Sequence, residues 1–250
     1  MQKYFISEEQ LANKIIDNDD AFHITSVMRC KIDDQILVSD GNKTYLVKIS
    51  SLSNKMVSFE IIKEEAGNNE MPVFVTIFQG YPKGDKMEDI IKHGTELGAY
   101  EFYPVMMKRS IVKIDEKKKQ SKLDRFNKIA KEAAEQSYRD RLPKVVDILN
   151  LKQIDFSSYD YKILCYEEVA KEKEDSNFKN IVKKLKKNDK VAVVIGPEGG
   201  IDKDEVSYLM NLGFIPCALG PRILRTETAP FYVLSSISYE MELKYWSVVL

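Results

Sequence analysis

Apolar and polar positions change rhythm once along the chain, near residue 70. Before that point, apolar residues come in short, partly alternating runs. Residues 35–39 are followed by the turn signal Asp40-Gly41-Asn42, and residues 44–49 and 56–62 repeat the pattern. Period-two runs joined by tight turns predict short strands, and several in succession predict a small β-barrel. The polar stretch Lys63-Glu64-Glu65-Ala66-Gly67-Asn68-Asn69-Glu70 has no apolar period and is expected to be a linker. From Pro72 onward, apolar runs of strand length alternate with helical patterns, which predicts an α/β fold around a mainly parallel sheet. The expected domains are therefore 1–70 and 71–250.

Within the second domain, residues 73–78, 100–104, 161–166 and 190–195 are expected strands. Asp85 is placed to cap a helix through Leu97, with Met87, Ile90, Ile91 and Gly94 on one face and Gly98 just beyond its end. Asp124 to about residue 138 predicts a helix with the stripe Phe126, Ile129, Ala130, Ala133, Ala134 and Ser137. A helix is expected over 204–212, ending at Gly213, and a terminal one over 229–243.

Net charge is −1, but it is unevenly distributed. Residues 71–150 hold 16 Lys and Arg against 12 Asp and Glu, including Lys108-Arg109, Lys113, Lys117-Lys118-Lys119 and Lys122. Charge alone does not separate a phosphate-tracking surface from a solvated loop and helix face. Cys30, Cys165 and Cys217 are widely spaced and only two histidines occur, so neither a disulfide framework nor a metal site is expected. No apolar run matches a membrane span, and the first residues carry no apolar signal core; a cytoplasmic protein is expected. Trp246 and the tyrosines show no stacking pattern.

Two segments carry chemistry. The apolar run 191–195 empties into Gly196-Pro197-Glu198-Gly199-Gly200-Ile201, and Asp202 then begins a helical pattern. Loops at the carboxyl ends of parallel strands are where such sheets bind ligands, and glycines let backbone approach a flat group. Neither the phosphate-loop Gly-Lys-Ser/Thr nor G-x-G-x-x-G is present. A second Gly-Pro turn opens Leu219-Gly220-Pro221-Arg222-Ile223-Leu224-Arg225-Thr226-Glu227-Thr228-Ala229-Pro230, where Thr226 or Thr228 is a candidate helix cap.

Together these two segments resemble the paired signature of the RsmE family of 16S ribosomal RNA uridine-N3 methyltransferases, within the SPOUT superfamily. Three further segments carry the resemblance along most of the chain: His23 to Val27-Met28-Arg29, Lys83-Gly84-Asp85-Lys86-Met87-Glu88 with Thr95-Glu96-Leu97-Gly98, and Glu132-Ala133-Ala134-Glu135-Gln136-Ser137-Tyr138-Arg139. Ile201-Asp202 and His93 depart from the family pattern.

The resemblance implies a deep trefoil knot in the catalytic domain, a PUA-like barrel before it, a homodimer, S-adenosylmethionine as cofactor, and 16S RNA of the small ribosomal subunit as substrate. It implies a cofactor site at Leu164, Tyr166, Glu167, Ile195, Gly196, Pro197, Glu198, Gly199, Gly200, Leu219, Gly220, Ile223, Leu224, Thr228 and Ala229. The RNA-binding candidates are His23, Arg29, Lys83, Lys86, Arg109, Arg139 and Arg222. Uridine N3 is protonated at neutral pH, so a base or a cation for the resulting anion is needed. Arg225 is the candidate cation, and Glu198 and Glu227 are rival proton acceptors. Either carboxylate has the alternative of holding a backbone amide or pairing with Arg222 or Arg225. For His23 and Arg29 the alternative is barrel packing, and for Arg139 it is a helix-surface ion pair. Competing functions are a ribose 2′-O methyltransferase of the same superfamily and an RNA-binding assembly factor without activity.

Overall fold

The computed structural model describes residues 1–67, 69–171 and 176–243, and Trp246 lies outside them. The chain divides into two units, one of residues 1–70 with 134–142 and the other of 71–133 with 143–250.

The first unit contains β1 (Lys3–Phe5), α1 (Glu8–Asn13), β2 (Ile15–Asp17), α2 (Asn18–Phe22), a π-helical turn (His23–Val27), β3 (Gln35–Ser39), β4 (Thr44–Leu52) and β5 (Met56–Glu65). Its sheet runs β1-β3-β4-β5-β2, antiparallel except for β1 beside β3. The β3–β4 turn falls at the expected Asp40-Gly41, where Asp40 Oδ1 accepts the N–H groups of Asn42 and Lys43 at 2.8 Å each. Ile36, Val38, Val47, Ile49, Val57 and Phe59 face one core, as the alternation requires. The expected linker begins later than the pattern suggests. Lys63 to Glu65 remain in β5 because their backbone pairs with Thr44 to Leu46, although their side chains face water.

Residues 134–142 are tied into this unit by charge. The Glu70 carboxylate accepts from Arg139 Nε at 2.8 Å and Nη2 at 2.6 Å, and from the Asp140 and Arg141 backbone N–H groups at 2.9 and 3.0 Å. Lys3, almost wholly buried, pairs with Asp140 at 3.0 Å.

The second unit contains β6 (Phe74–Gly80), α3 (Lys86–Glu96), β7 (Glu101–Met106), the start of α4 (Glu116–Gln136), β8 (Lys144–Val145), β9 (Leu149–Asn150), β10 (Tyr161–Cys165), α5 (Glu168–Lys171), α6 (Asn177–Lys184), β11 (Lys190–Ile195), α7 (Lys203–Asn211), β12 (Ile215–Cys217), α8 (Thr228–Ser238) and a terminal π-helical turn (Tyr239–Leu243). The strand order is β12-β10-β11-β6-β7-β8, with β9 also on β7, and every pairing is parallel. Its central strands are apolar on both faces because both are covered. Val191, Val193 and Ile195 pack with residues of α3, α4, α6 and α8, while Ala192 and Val194 pack with Val206 and Leu209 of α7.

Helix α4 starts eight residues before the expected Asp124. Its first turns hold Glu, Lys and Gln, good helix formers that lack an apolar stripe, so periodicity does not reveal them. It ends before Tyr138, which adopts a left-handed φ of 57°. Among the described residues no helix is long and apolar enough to cross a membrane.

Candidate functional site

The carboxyl ends of β10, β11 and β12 open onto a cavity of about 480 Å³. The two segments that carry chemistry in the sequence meet there, together with the loop after β10 that the resemblance adds. Tyr166, Glu167 and Glu168 come from the loop after β10, Ile195 and Gly196 from the end of β11, and Leu219, Gly220, Pro221, Arg222, Ile223, Leu224, Thr226 and Ala229 from the approach to α8. Gly220 has a φ of 110°, a backbone angle that glycine adopts without strain and that lets the chain turn around the cavity wall.

Of the expected cofactor residues, nine line this cavity: Tyr166, Glu167, Ile195, Gly196, Leu219, Gly220, Ile223, Leu224 and Ala229. Leu164 does not line it. Successive strand residues point to opposite faces, so Leu164 packs on the α7 side while its neighbour Cys165 faces the cavity. Pro197, Glu198, Gly199 and Gly200 form the turn behind the wall, and Thr228 also lies outside the lining. Arg222, expected at RNA, is itself part of the lining. Cys165 and Pro221, within the expected loops, line the cavity too, and Cys217, Glu168 and Thr226 line it although they lie outside those loops.

Close packing holds the glycine turn. A Cβ on Gly80 would stand 2.5 Å from Pro197, and one on Gly196 would stand 2.7 Å from Ile201. Thr226 fastens the turn to the segment before α8: its hydroxyl donates to Gly196 O at 2.6 Å and accepts from Gln79 Nε2 at 2.8 Å. Gln79 is fully buried, and its Oε1 has no hydrogen-bond partner. Arg109 Nη1 donates to Gly199 O at 3.1 Å on the other side of the turn, and its Nη2 stands 3.7 Å from Asp202.

The charged candidates form one cluster. Lys86 Nζ lies 3.0 Å from Glu198 Oε1 and 3.2 Å from Glu227 Oε2, so one ammonium joins the glycine turn to the segment before α8. The second contact is an ion pair without hydrogen-bond geometry, since Glu227 Oε2 is buried with no hydrogen-bond partner. The Lys83 N–H also donates to Glu198 Oε1 at 3.1 Å. Desolvation pushes the Glu198 carboxyl upward, but the hydrogen bonds from Lys86 and the backbone outweigh it and hold the group below the usual carboxylate range. A lowered affinity for protons makes Glu198 a poor base. Arg225 Nη1 stands 4.0 Å from Glu227 Oε1 and is otherwise turned to solvent, 84% exposed.

The other RNA candidates are dispersed. The Lys83 side chain is exposed, whereas Lys86 is committed to the two glutamates. His23 Nδ1 is hydrogen-bonded to Tyr4 OH at 2.9 Å within the barrel unit. Arg29 is exposed with a left-handed φ of 53°. Arg139 is only 3% exposed and its fork holds Glu70, which directs the guanidinium inward rather than to a phosphate.

Residues 69–238 match the family described as "RNA methyltransferase domain", and residues 16–62 match "RNA methyltransferase PUA domain". The chain is 44% identical to ribosomal RNA small subunit methyltransferase E of Bacillus subtilis, over 97% of this chain and 98% of that one. It is similar to the crystal structure of the same-named enzyme of Neisseria gonorrhoeae bound to S-adenosyl methionine, with 25% identity, a TM-score of 0.81 and coverage of 95% and 97%. A methyltransferase from Legionella pneumophila, solved with its bound cofactor SAM, gives 26% identity, a TM-score of 0.83 and coverage of 95% and 97%. The parallel sheet, the strand-end cavity and these matches over nearly the whole length agree: the chain belongs to the ribosomal RNA small subunit methyltransferase E family, the one its five motifs resemble.

Proposed function

We propose that the chain methylates N3 of a uridine in 16S ribosomal RNA, with S-adenosylmethionine as methyl donor. The observation that supports this most is the convergence of the loop after β10, the glycine turn after β11 and the segment before α8 on one cavity. Its chemistry fits the cofactor. Ile195, Leu219, Ile223 and Leu224 offer apolar walls for a flat adenine, and the Glu167 and Glu168 carboxylates suit a ligand that carries positive charge. When bound, S-adenosylmethionine supplies an electrophilic methyl group on a sulfonium.

The chain's own residues have to position the uracil and manage its N3 proton. Arg225, solvent-facing beside the cavity segment, stabilises the charge that spreads over the ring oxygens when N3 is deprotonated. Glu198 holds the Lys83 backbone and Lys86, so its part is to fix the glycine turn. Glu227, whose Oε1 faces Arg225, is then the carboxylate left to accept the proton. The reading extends to a homodimer with a knotted catalytic domain over 71–250, an RNA-holding barrel over 1–70, and a cytoplasmic location.

The test is genetic. Deleting the gene removes one uridine N3 methyl from 16S RNA, mapped by mass spectrometry, and the wild-type gene restores it. Arg225→Ala binds cofactor normally yet lowers turnover about a hundredfold, the scale of losing one charge-stabilising donor. A methyl lost from a ribose oxygen, or full turnover in Arg225→Ala, overturns the assignment or the role of the arginine respectively.

A further inference from the structure

A second cavity, of about 560 Å³, lies past the carboxyl end of β7, between the 107–113 segment, the 150–152 turn and α7. None of the cofactor-site residues line it. We infer that this cavity is a nucleotide subsite that holds a single-stranded base of the RNA substrate next to the methylated one, with Tyr208 as stacking surface and Lys113 and Lys152 on the phosphates.

The walls suit a base. Met107 and Leu151 are buried and make an apolar floor, and Tyr208 is half-buried on one side. Aromatic faces accept any base by stacking, which is how single strands are gripped without sequence readout. The charges around the rim suit a phosphate backbone. Two carboxylates belong to the lining, and both are already satisfied. Asp204 takes Lys108 Nζ at 2.5 Å, and Glu205 accepts the Lys108 N–H at 2.9 Å and the Asp202 N–H at 3.3 Å. Lys113 and Lys152 are exposed and, among the described residues, have no carboxylate partner. Lys117 and Lys118 of α4 are also exposed and, among the described residues, have no carboxylate partner, with Asp115 and Glu116 between them and Lys113. The cavity thus presents an apolar slot beneath uncommitted cations, which complements a nucleotide and not an acceptor for a cation or an apolar helix.

The subsite is also coupled to the cofactor cavity by covalent adjacency. Lys108 contacts Asp202 and Asp204 at the start of α7, and the next residue, Arg109, donates to Gly199 O in the glycine turn. A strand seated here runs beside the loop that carries the methyl-transfer site. This inference rests on the RNA-methylating reading above, because it names where a further nucleotide of that substrate sits.

The experiment uses the full chain and a short single-stranded oligouridylate, titrated by fluorescence anisotropy over a salt series, with calorimetric titration of S-adenosylhomocysteine in parallel. For Lys113→Gln/Lys152→Gln, oligonucleotide affinity falls by about tenfold and the log–log salt slope shrinks by about 1.4, two single-strand phosphate contacts. Tyr208→Leu weakens binding by about tenfold, and Tyr208→Phe, which keeps the flat ring, does not. Cofactor affinity stays at the wild-type value in all three. Unchanged oligonucleotide affinity and slope in the lysine variant, or equal losses in the Leu and Phe variants, overturn the subsite. So does a loss of cofactor affinity that accompanies the loss of RNA affinity. Wild-type methylation of 16S RNA is scored separately: its failure sinks the proposed activity, whereas the oligonucleotide arm alone decides the subsite.

Discussion

Replacing Thr226 with valine removes one hydroxyl and should loosen the strand-end cavity by an amount that the geometry sets. The hydroxyl donates to Gly196 O at 2.6 Å and receives Gln79 Nε2 at 2.8 Å, in surroundings almost closed to water. After the change Gly196 O keeps only Gln79 Nε2, at 3.5 Å, and the amide keeps Gly80 O at 3.2 Å. Leaving a buried donor or acceptor without its good partner costs about 1–3 kcal/mol. Because the remaining contacts are long, about 2 kcal/mol is the reasonable size, or about thirtyfold in an equilibrium constant. Gly196 and Thr226 both line the cavity, so the loss appears as weaker S-adenosylhomocysteine binding in calorimetric titration, with a smaller fall in urea midpoint. Thr226→Ser, which keeps the hydroxyl, stays within about 0.5 kcal/mol of wild type. The partner carries its own signature. Gln79→Leu costs less in the valine background than in the wild type, because the Gln79–Thr226 hydrogen bond is already gone there. Wild-type affinity and stability in Thr226→Val, or purely additive losses in the double variant, would refute the claim that this hydroxyl fastens the two segments.

Lys86→Met breaks two partly exposed ion pairs worth about 1 kcal/mol each at most, so cofactor affinity falls by about tenfold. The same variant changes the pH response. A carboxyl whose pKa is lowered by its native contacts adds stability that is complete above its ordinary value of 4.5 and disappears as pH falls through the lowered one. Wild-type unfolding stability is therefore insensitive to Glu198 from neutral pH down to about 4.5 and falls below it, whereas in Lys86→Met that acid-side fall is smaller; superimposable stability profiles would remove Lys86 from this role. Arg139→Met leaves Glu70 without its bidentate partner and lowers unfolding stability by about 3 kcal/mol, read from urea denaturation. Unchanged stability with weakened RNA binding would instead return Arg139 to the RNA surface.

Much of the fold is legible where a segment's environment repeats its own pattern. β11 reads as a strand because all its inner residues are apolar, and it is buried on both faces. The β3–β4 hairpin reads from Asp40-Gly41 because that turn is satisfied locally. Helix α1 also had a local signal, the Ser7-Glu8-Glu9-Gln10 capping box, with Ser7 Oγ accepting Gln10 N–H at 3.1 Å and Gln10 Oε1 accepting Ser7 N–H at 2.8 Å. It escapes an apolar-pattern reading because the helix is six residues long and buries no residue. The β1 strand is three residues long, too short to show a period, and is defined by its pairing with β3.

The candidate site divides along the same line, between what neighbours in sequence determine and what distant segments decide. The glycine turns are spelled out contiguously, so the cavity walls could be expected from motif resemblance. Gln79, which braces them, contacts Thr226 across 147 positions, and no local pattern distinguishes it from any other strand residue. Charge shows the difference most sharply, because sequence gives the sign of a lysine or arginine but not what occupies it. Lys86, Lys108 and Arg139 prove to be held by carboxylates from 112, 94 and 69 positions away, whereas Arg222, Arg225, Lys113 and Lys152 keep their cationic groups toward solvent. A phosphate backbone competes poorly for a cation already neutralised at 3 Å and well for one facing water. The RNA path we propose follows the second set, and that selection depends on which carboxylates folding places nearby.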